Sequence, residues 1–211
     1  MGITIFAQGK INHLEELPSL IEEVKGIAAK YGWKYAIIDD DFEDPPFIDL
    51  ERNSESSDLN IVGSLGLKGI VITVDEGVED LHILFDRYGV LTGMMPQLLW
   101  LQNDKQGERF SACKTQFGSI DSHIRIVELY DILKKKYITN LEVEDEGSYW
   151  VSRNRNLLAE KRTVLEHYLE HTQTVIGGLD ISCDTAQDPE TVASCLEKAL
   201  LDAETKNKST H

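Results

Sequence analysis

Lys114, Gln116, Asp121 and His123, followed by Asp145, Glu146, Tyr149 and Trp150, place a cation, an imidazole, carboxylates and two aromatic rings in two short segments of this chain. Such groups can do acid/base and ligand-orienting chemistry. A histidine moves a proton near neutral pH, a lysine steadies a developing anion, and a carboxylate orients the imidazole or holds a ligand. On that reading His123 is the acid/base, Lys114 the electrostatic stabiliser and Asp145 or Glu146 the orienter. The eight residues together form a candidate binding set for a small molecule or peptide. Several also have a plainer reading. His123 precedes Ile126 and Val127 by three and four positions, on the apolar seam of a helix, where a boundary histidine with satisfied hydrogen bonds is the ordinary occupant. Glu142, Glu144 and Glu146 alternate away from Leu141 and Val143, as on a solvated strand face. Tyr149 and Trp150 read equally as local core.

Other motifs carry less. His167 and His171 are four apart on one helix, a spacing that can hold zinc, but H-E-x-x-H is missing and no third ligand stands out. Asp39, Asp41 and Glu43 resemble the start of a calcium loop without its Gly and closing Glu. Gly63-Ser64-Leu65-Gly66 is not a nucleophile elbow, and nothing matches a phosphate loop or a dinucleotide fingerprint, so the sequence calls for no cofactor and no metal. Three cysteines, Cys113, Cys183 and Cys195, without a C-x-x-C pair argue against a disulfide framework and a structural zinc site.

The elements that must position these residues follow from periodicity. Residues 3–8 alternate as a strand, Leu17 to Tyr31 has helical spacing with Gly32 as a stop, and Trp33 to Ile38 is a second strand. Lys68 to Val74 and Leu81 to Asp86 read as strands, the second turning through Asp86-Arg87-Tyr88-Gly89 into Val90 to Thr92. Met94 to Leu101 is apolar without a period, either buried filler or a docking patch. Arg109 to Gln116 is a strand, and Ser119 to Lys136 is a helix with a seam of Ile126, Val127, Tyr130, Leu133 and Tyr137. Asp121 with Arg125, and Asp131 with Lys135, are expected as ion pairs along it. Leu141 to Asp145 is a strand. A helix over 155–176 should bury Leu157, Leu158, Val164, Leu165, Tyr168 and Leu169, and a last helix after Asp188 carries Val192, Cys195, Leu196, Ala199 and Leu200.

Two stretches are alike. Gly9 to His13, a helix, Lys30-Tyr31 and an acidic strand end parallel Gly118 to His123, a helix, Lys136-Tyr137 and Glu142 to Glu146, which is either a duplication or a chance match. The expected fold is α+β: a mixed sheet of about six strands with two strand-helix-strand units, a ferredoxin-like elaboration, and two C-terminal helices. It is divided as one domain over 1–176 and a helical appendage over 177–211. Crossover connections would bring residues 114–123 and 145–150 to one rim.

The segments KTQFG…SHIRIVELYDILKKKY and LEVEDEGSYW, within residues 113–150, resemble part of an uncharacterised family of bacterial proteins with a Lys-Thr-Gln-Phe run, a His-bearing helix and an Asp-Glu-Gly-x-Tyr-Trp ending. The resemblance implies that the rim recurs and supplies no activity. Where that family continues with acids, Val151-Ser152-Arg153-Asn154 is neutral to basic, so no acid beyond Trp150 is carried over as a site residue.

The 211 residues carry 37 acids against 21 Lys and Arg, a formal charge of −16, which disfavours nucleic acid and anionic membrane as partners. Half of that charge lies in residues 39–59, nine acids against Arg52, a segment expected to be an exposed, mobile loop. With no signal peptide and no membrane-length apolar run, the expected location is cytoplasmic. The leading functional reading is a non-enzymatic binding protein of immunity or adaptor type that offers an acidic surface to a basic protein. The alternative is a small-molecule or divalent-metal enzyme at the 114–123 and 145–150 rim. The oligomeric state stays open.

Overall fold

The computed structural model describes residues 2–52, 59–103 and 105–177, and of 48–52, 59–62 and 169–177 the backbone alone. In chain order the elements are β1 (Thr4–Gln8), α1 (Leu17–Tyr31), β2 (Lys34–Asp39), β3 (Phe47–Arg52), β4 (Leu59–Ser64), β5 (Leu67–Thr73), β6 (Leu81–Asp86) and β7 (Leu91–Thr92). They continue as α2 (Met94–Gln102), β8 (Ser111–Lys114), α3 (Ile120–Lys136), β9 (Glu142–Asp145), α4 (Tyr149–Ser152) and α5 (Arg155–Gly177). The boundaries have local causes. Pro18 sits in the first turn of α1, where its missing N–H costs nothing, and Gly32 closes the helix at φ +70°, a conformation that glycine adopts freely. Ser119 caps α3 by accepting from the Ser122 N–H at 3.0 Å.

The fold is α+β. Its described strands form three sheets, in orders β8-β1-β9, β2-β5-β6-β7 and β3-β4, and every ladder is antiparallel. The expected single mixed sheet of about six strands is instead nine strands divided among three sheets.

Because β8 and β9 both run against β1, they are parallel to each other with β1 between them, and α3 is the crossover of a split strand-helix-strand unit. The first unit is built differently. β1 and β2 lie in different sheets, so α1 bridges sheets rather than crossing over within one. The two sequence-alike stretches thus take different places in the fold. One apolar cluster joins them: Leu20, Val24 and Ala28 of α1, Ile70 and Ile72 of β5, Ile83 and Phe85 of β6, Ile5 and Cys113 of the small sheet, and Ile126, Tyr130 and Leu133 of α3.

Several expectations change. The acidic stretch 39–59 contains β3, paired with β4 so that Leu50 meets Ile61 and Asp49 meets Val62. The alternation in Ile48-Asp49-Leu50-Glu51 was hidden by its charge; residues 53–58 and the helix expected after Asp188 lie outside the described residues. The ion pairs expected along α3 form elsewhere. Asp121 pairs with Arg155, and Asp131 takes Arg153 in a two-pronged bond of 2.7 and 2.8 Å, so both carboxylates are met by arginines from beyond β9 rather than from α3 itself. Arg125 instead stacks on Tyr31, 4.6 Å from its ring centre. The Met94 segment is a helix that buries Gln97 and Leu98 and exposes Met95 and Leu99, so it is partly filler and partly surface.

The chain divides into two compact units, Met1–Arg162 and Thr163–His211, with the division inside α5. In the second unit Leu165 is buried, whereas Val164 and Tyr168 are exposed rather than packed as expected.

Candidate functional site

α3 begins against β8, and its first turn carries His123 inward. Asp75 helps fix that turn, accepting from Ser122 Oγ at 2.7 Å and from the Ser119 N–H at 3.2 Å, bonds that hold its carboxyl below the ordinary range. His123, on the seam of the helix, is 2% exposed. Its Nδ1 lies 2.7 Å from Thr115 Oγ1, and its Nε2 lies 3.2 Å from Asp145 Oδ1. The second contact is within ion-pair distance but off the line of a good hydrogen bond. The Tyr149 ring meets the imidazole edge-on, 6.4 Å between centres.

Asp145 closes the arrangement. Its carboxylate accepts from the backbone N–H of Gly147 at 2.7 Å and of Trp150 at 2.8 Å, ordering the turn into α4. Burial pushes this carboxyl up, but His123 and the two N–H groups outweigh burial and hold it below the usual carboxylate value. Gly147 is required by close approach: a Cβ there would lie 2.6 Å from Leu158 Cδ1, 2.9 Å from Asp145 Oδ1 and 3.0 Å from His123 Cε1.

Thr115, His123 and Asp145 therefore form a hydroxyl–imidazole–carboxylate chain, the order that activates a nucleophile in acyl transfer. Here the hydroxyl is turned inward. Thr115 Oγ1 is also 3.2 Å from the Ile3 carbonyl, and the cavity bordered by Thr115, Gln116 and His123 is about 10 Å³, too small for a substrate. The chain ties β1, β8, α3 and the β9 turn together in the core.

The rim residues separate accordingly. His123 and Asp145 come together, with Tyr149 beside them. Lys114 does not join them: strand alternation turns it to the opposite face from buried Cys113, and its aliphatic end runs beside Gly2. Gln116 is buried. Asp121 is exposed and held by Arg155, and Glu146 accepts from the Thr4 N–H at 2.8 Å. Trp150 packs against the core under the Arg153 guanidinium, 4.8 Å from its ring centre. The rim is thus a set of tertiary clasps.

The open feature lies on the other face of the same small sheet. Phe6 and Gln8 of β1, Phe110 before β8, and Glu142 and Glu144 of β9 all point away from the core. With Glu108 they line a groove of about 590 Å³. Phe6 and Phe110 meet edge-to-face at 5.8 Å, and Gln8 Nε2 donates to Glu142 Oε2 at 3.0 Å. Among the described residues no lysine or arginine lines it. The alternation of Glu142 and Glu144 was visible in sequence; what no spacing showed was that β1 lies beside β9 and sets an aromatic floor between those acids and Glu108.

Among the described residues no three His, Cys, Asp or Glu side chains gather where they could hold a metal ion. His167 is exposed, and the side chain of His171 lies outside the described residues. No helix among them is long and apolar enough to cross a membrane. Comparison with protein-family models, with curated proteins and with solved structures finds no match to the chain.

Proposed function

We propose that this chain is a binding protein that receives a basic protein partner on the outer face of its three-stranded sheet. The observation that carries the reading is the groove: glutamates at 108, 142 and 144 around the Phe6–Phe110 pair, with no lysine or arginine among the described residues lining it. Arginine and lysine suit such a surface, since the carboxylates attract the charge and the aromatic faces take the aliphatic stem and the cation. The chain's −16 charge adds long-range attraction, giving fast, salt-sensitive association. The surface is displaced from the rim read in the sequence, because His123 is buried beside Thr115 Oγ1 and the Asp145 carboxylate is held by two backbone N–H groups.

The test uses an arginine- and lysine-rich peptide as probe, titrated by calorimetry at low and high salt. Binding at low salt should weaken at least tenfold, about 1.4 kcal/mol, when Glu108, Glu142 and Glu144 are all changed to Gln. Changing Asp41, Glu43 and Asp44 to their amides should leave it nearly unchanged. Absence of binding at low salt, or equal loss in both variants, would refute the groove as the contact surface.

A further inference from the structure

We propose that β2 is the contact through which two copies of this chain join their four-stranded sheets about a twofold axis. Other edges of the three- and four-stranded sheets are guarded. β7 has two residues, β9 presents Glu142 and Glu144, and β8 is tied to the carbonyls of His82 and Glu79 through Ser111 Oγ and Cys113 Sγ. Shortness, charge and cover are the usual means of keeping an edge from pairing. β2 has six residues, KYAIID, and Tyr35 and Ile37 on it are each 44% exposed. Among the described residues no strand pairs with its outer side.

Tyr35 is in register with Ile72 and Ile37 with Ile70, and both partners are fully buried, so the two exposed side chains lie on the core-facing side of the sheet where the cover of α1 runs out. Between α1 and this edge lies a groove of about 440 Å³, walled by Leu14, Pro18, Ile21, Ile37 and Phe42 together with the charged Glu15, Glu22, Asp39 and Lys68.

The sequence of the strand is complementary to itself. A twofold axis normal to a continuous sheet keeps each residue on its own face, so facing residues differ by an even number of positions. With Ala36 on the axis, Tyr35 of each copy faces Ile37 of the other, an aromatic–β-branched pair beside the groove. Lys34 faces Ile38 and lies diagonal to Asp40 of the other copy, within reach of its long side chain, once on each side of the axis; Asp40 Oδ2 accepts from its own Leu67 N–H at 3.0 Å, which leaves Oδ1 for the lysine. Within the paired strands no acid faces an acid. α1 packs against β2 and β5, so joining the two β2 edges puts both α1 helices on the same face of the continuous sheet.

Sedimentation of the full chain at about 0.1 mM, in low and high salt, tests this. The expected result is a dimer whose fraction rises with salt, because salt screens the repulsion between two chains of charge −16. Binding of a basic peptide moves the opposite way with salt, so the two proposals fail separately. Ile37→Lys should give a monomer with unchanged circular dichroism and melting temperature. Ala36→Cys, in a Cys183→Ser, Cys195→Ser background, should form a disulfide-linked dimer on mild oxidation, since facing Cα atoms of antiparallel strands lie about 4.5 to 5.5 Å apart. A monomer at both salt concentrations, a dimer that Ile37→Lys leaves intact, or cross-linking at Ile37→Cys in preference to Ala36→Cys would overturn the proposal.

Discussion

Replacing Asp145 by Asn keeps the shape of a side chain that is 1% exposed and removes its charge. The carboxylate accepts at 2.7 and 2.8 Å from two backbone N–H groups and faces His123 Nε2 at 3.2 Å. An amide has one acceptor oxygen, so at least one of the two N–H groups would face an NH2 group, and the electrostatic contact with the imidazole would be lost. Hydrogen bonds to charged groups contribute about 1.5 to 3 kcal/mol each, and a buried donor left unsatisfied costs a similar amount. The expected loss is therefore about 3 kcal/mol, a large part of the 5 to 15 kcal/mol typical of a domain. Urea unfolding at pH 7 measures it as a midpoint shift of roughly 1 to 2 M.

The pH dependence provides a second arm. The native carboxyl titrates below its unfolded value, so its stabilisation is present above the unfolded pKa and is lost as pH falls through the native one. The gap between wild type and variant should narrow below about pH 4, as the wild-type carboxyl protonates. A loss below about 1 kcal/mol at pH 7, or a gap that does not narrow in acid, would refute the clasp described for Thr115, His123 and Asp145.

Burial pushes the Cys113 thiol up to about 12, with Glu79 and Asp80 adding to the shift, so in a Cys183→Ser, Cys195→Ser variant a thiol reagent at pH 8 should leave the native protein unmodified and react fully on denaturation; rapid native labelling would contradict the packing. His82 accepts from the Met94 N–H at 3.3 Å at the start of α2, and burial depresses its pKa against the opposing pull of Asp80 and Glu79. That group's stabilisation is present above its unfolded pKa and lost as pH falls, so wild-type stability should decline between pH 7 and 5 and His82→Asn should decline less, measured by thermal melts across that range.

Local pattern fixed much of this protein. Helical spacing from Leu17 to Tyr31, with Gly32 behind it, and the seam of Ile126, Val127, Tyr130 and Leu133 determined α1 and α3, because burying an apolar stripe and closing a helix are properties of neighbours in sequence. The alternation of Leu81, Ile83 and Phe85 before Asp86-Arg87-Tyr88-Gly89 likewise specified β6 and its turn into β7. Charge obscured pattern at Ile48-Asp49-Leu50-Glu51, where a strand lies inside a run that composition marks as loop. Residue type also picked out His123 and Asp145, but not what they do. Their roles depend on which backbone groups surround them, and Gly147, Trp150, Thr115 and Ile3 reach them only through pairing of β1 between β8 and β9. The same pairing places Phe6 beside Phe110 between glutamates far apart in the chain. Strand partners are selected by long-range burial of whole faces, a choice that no short window of sequence contains.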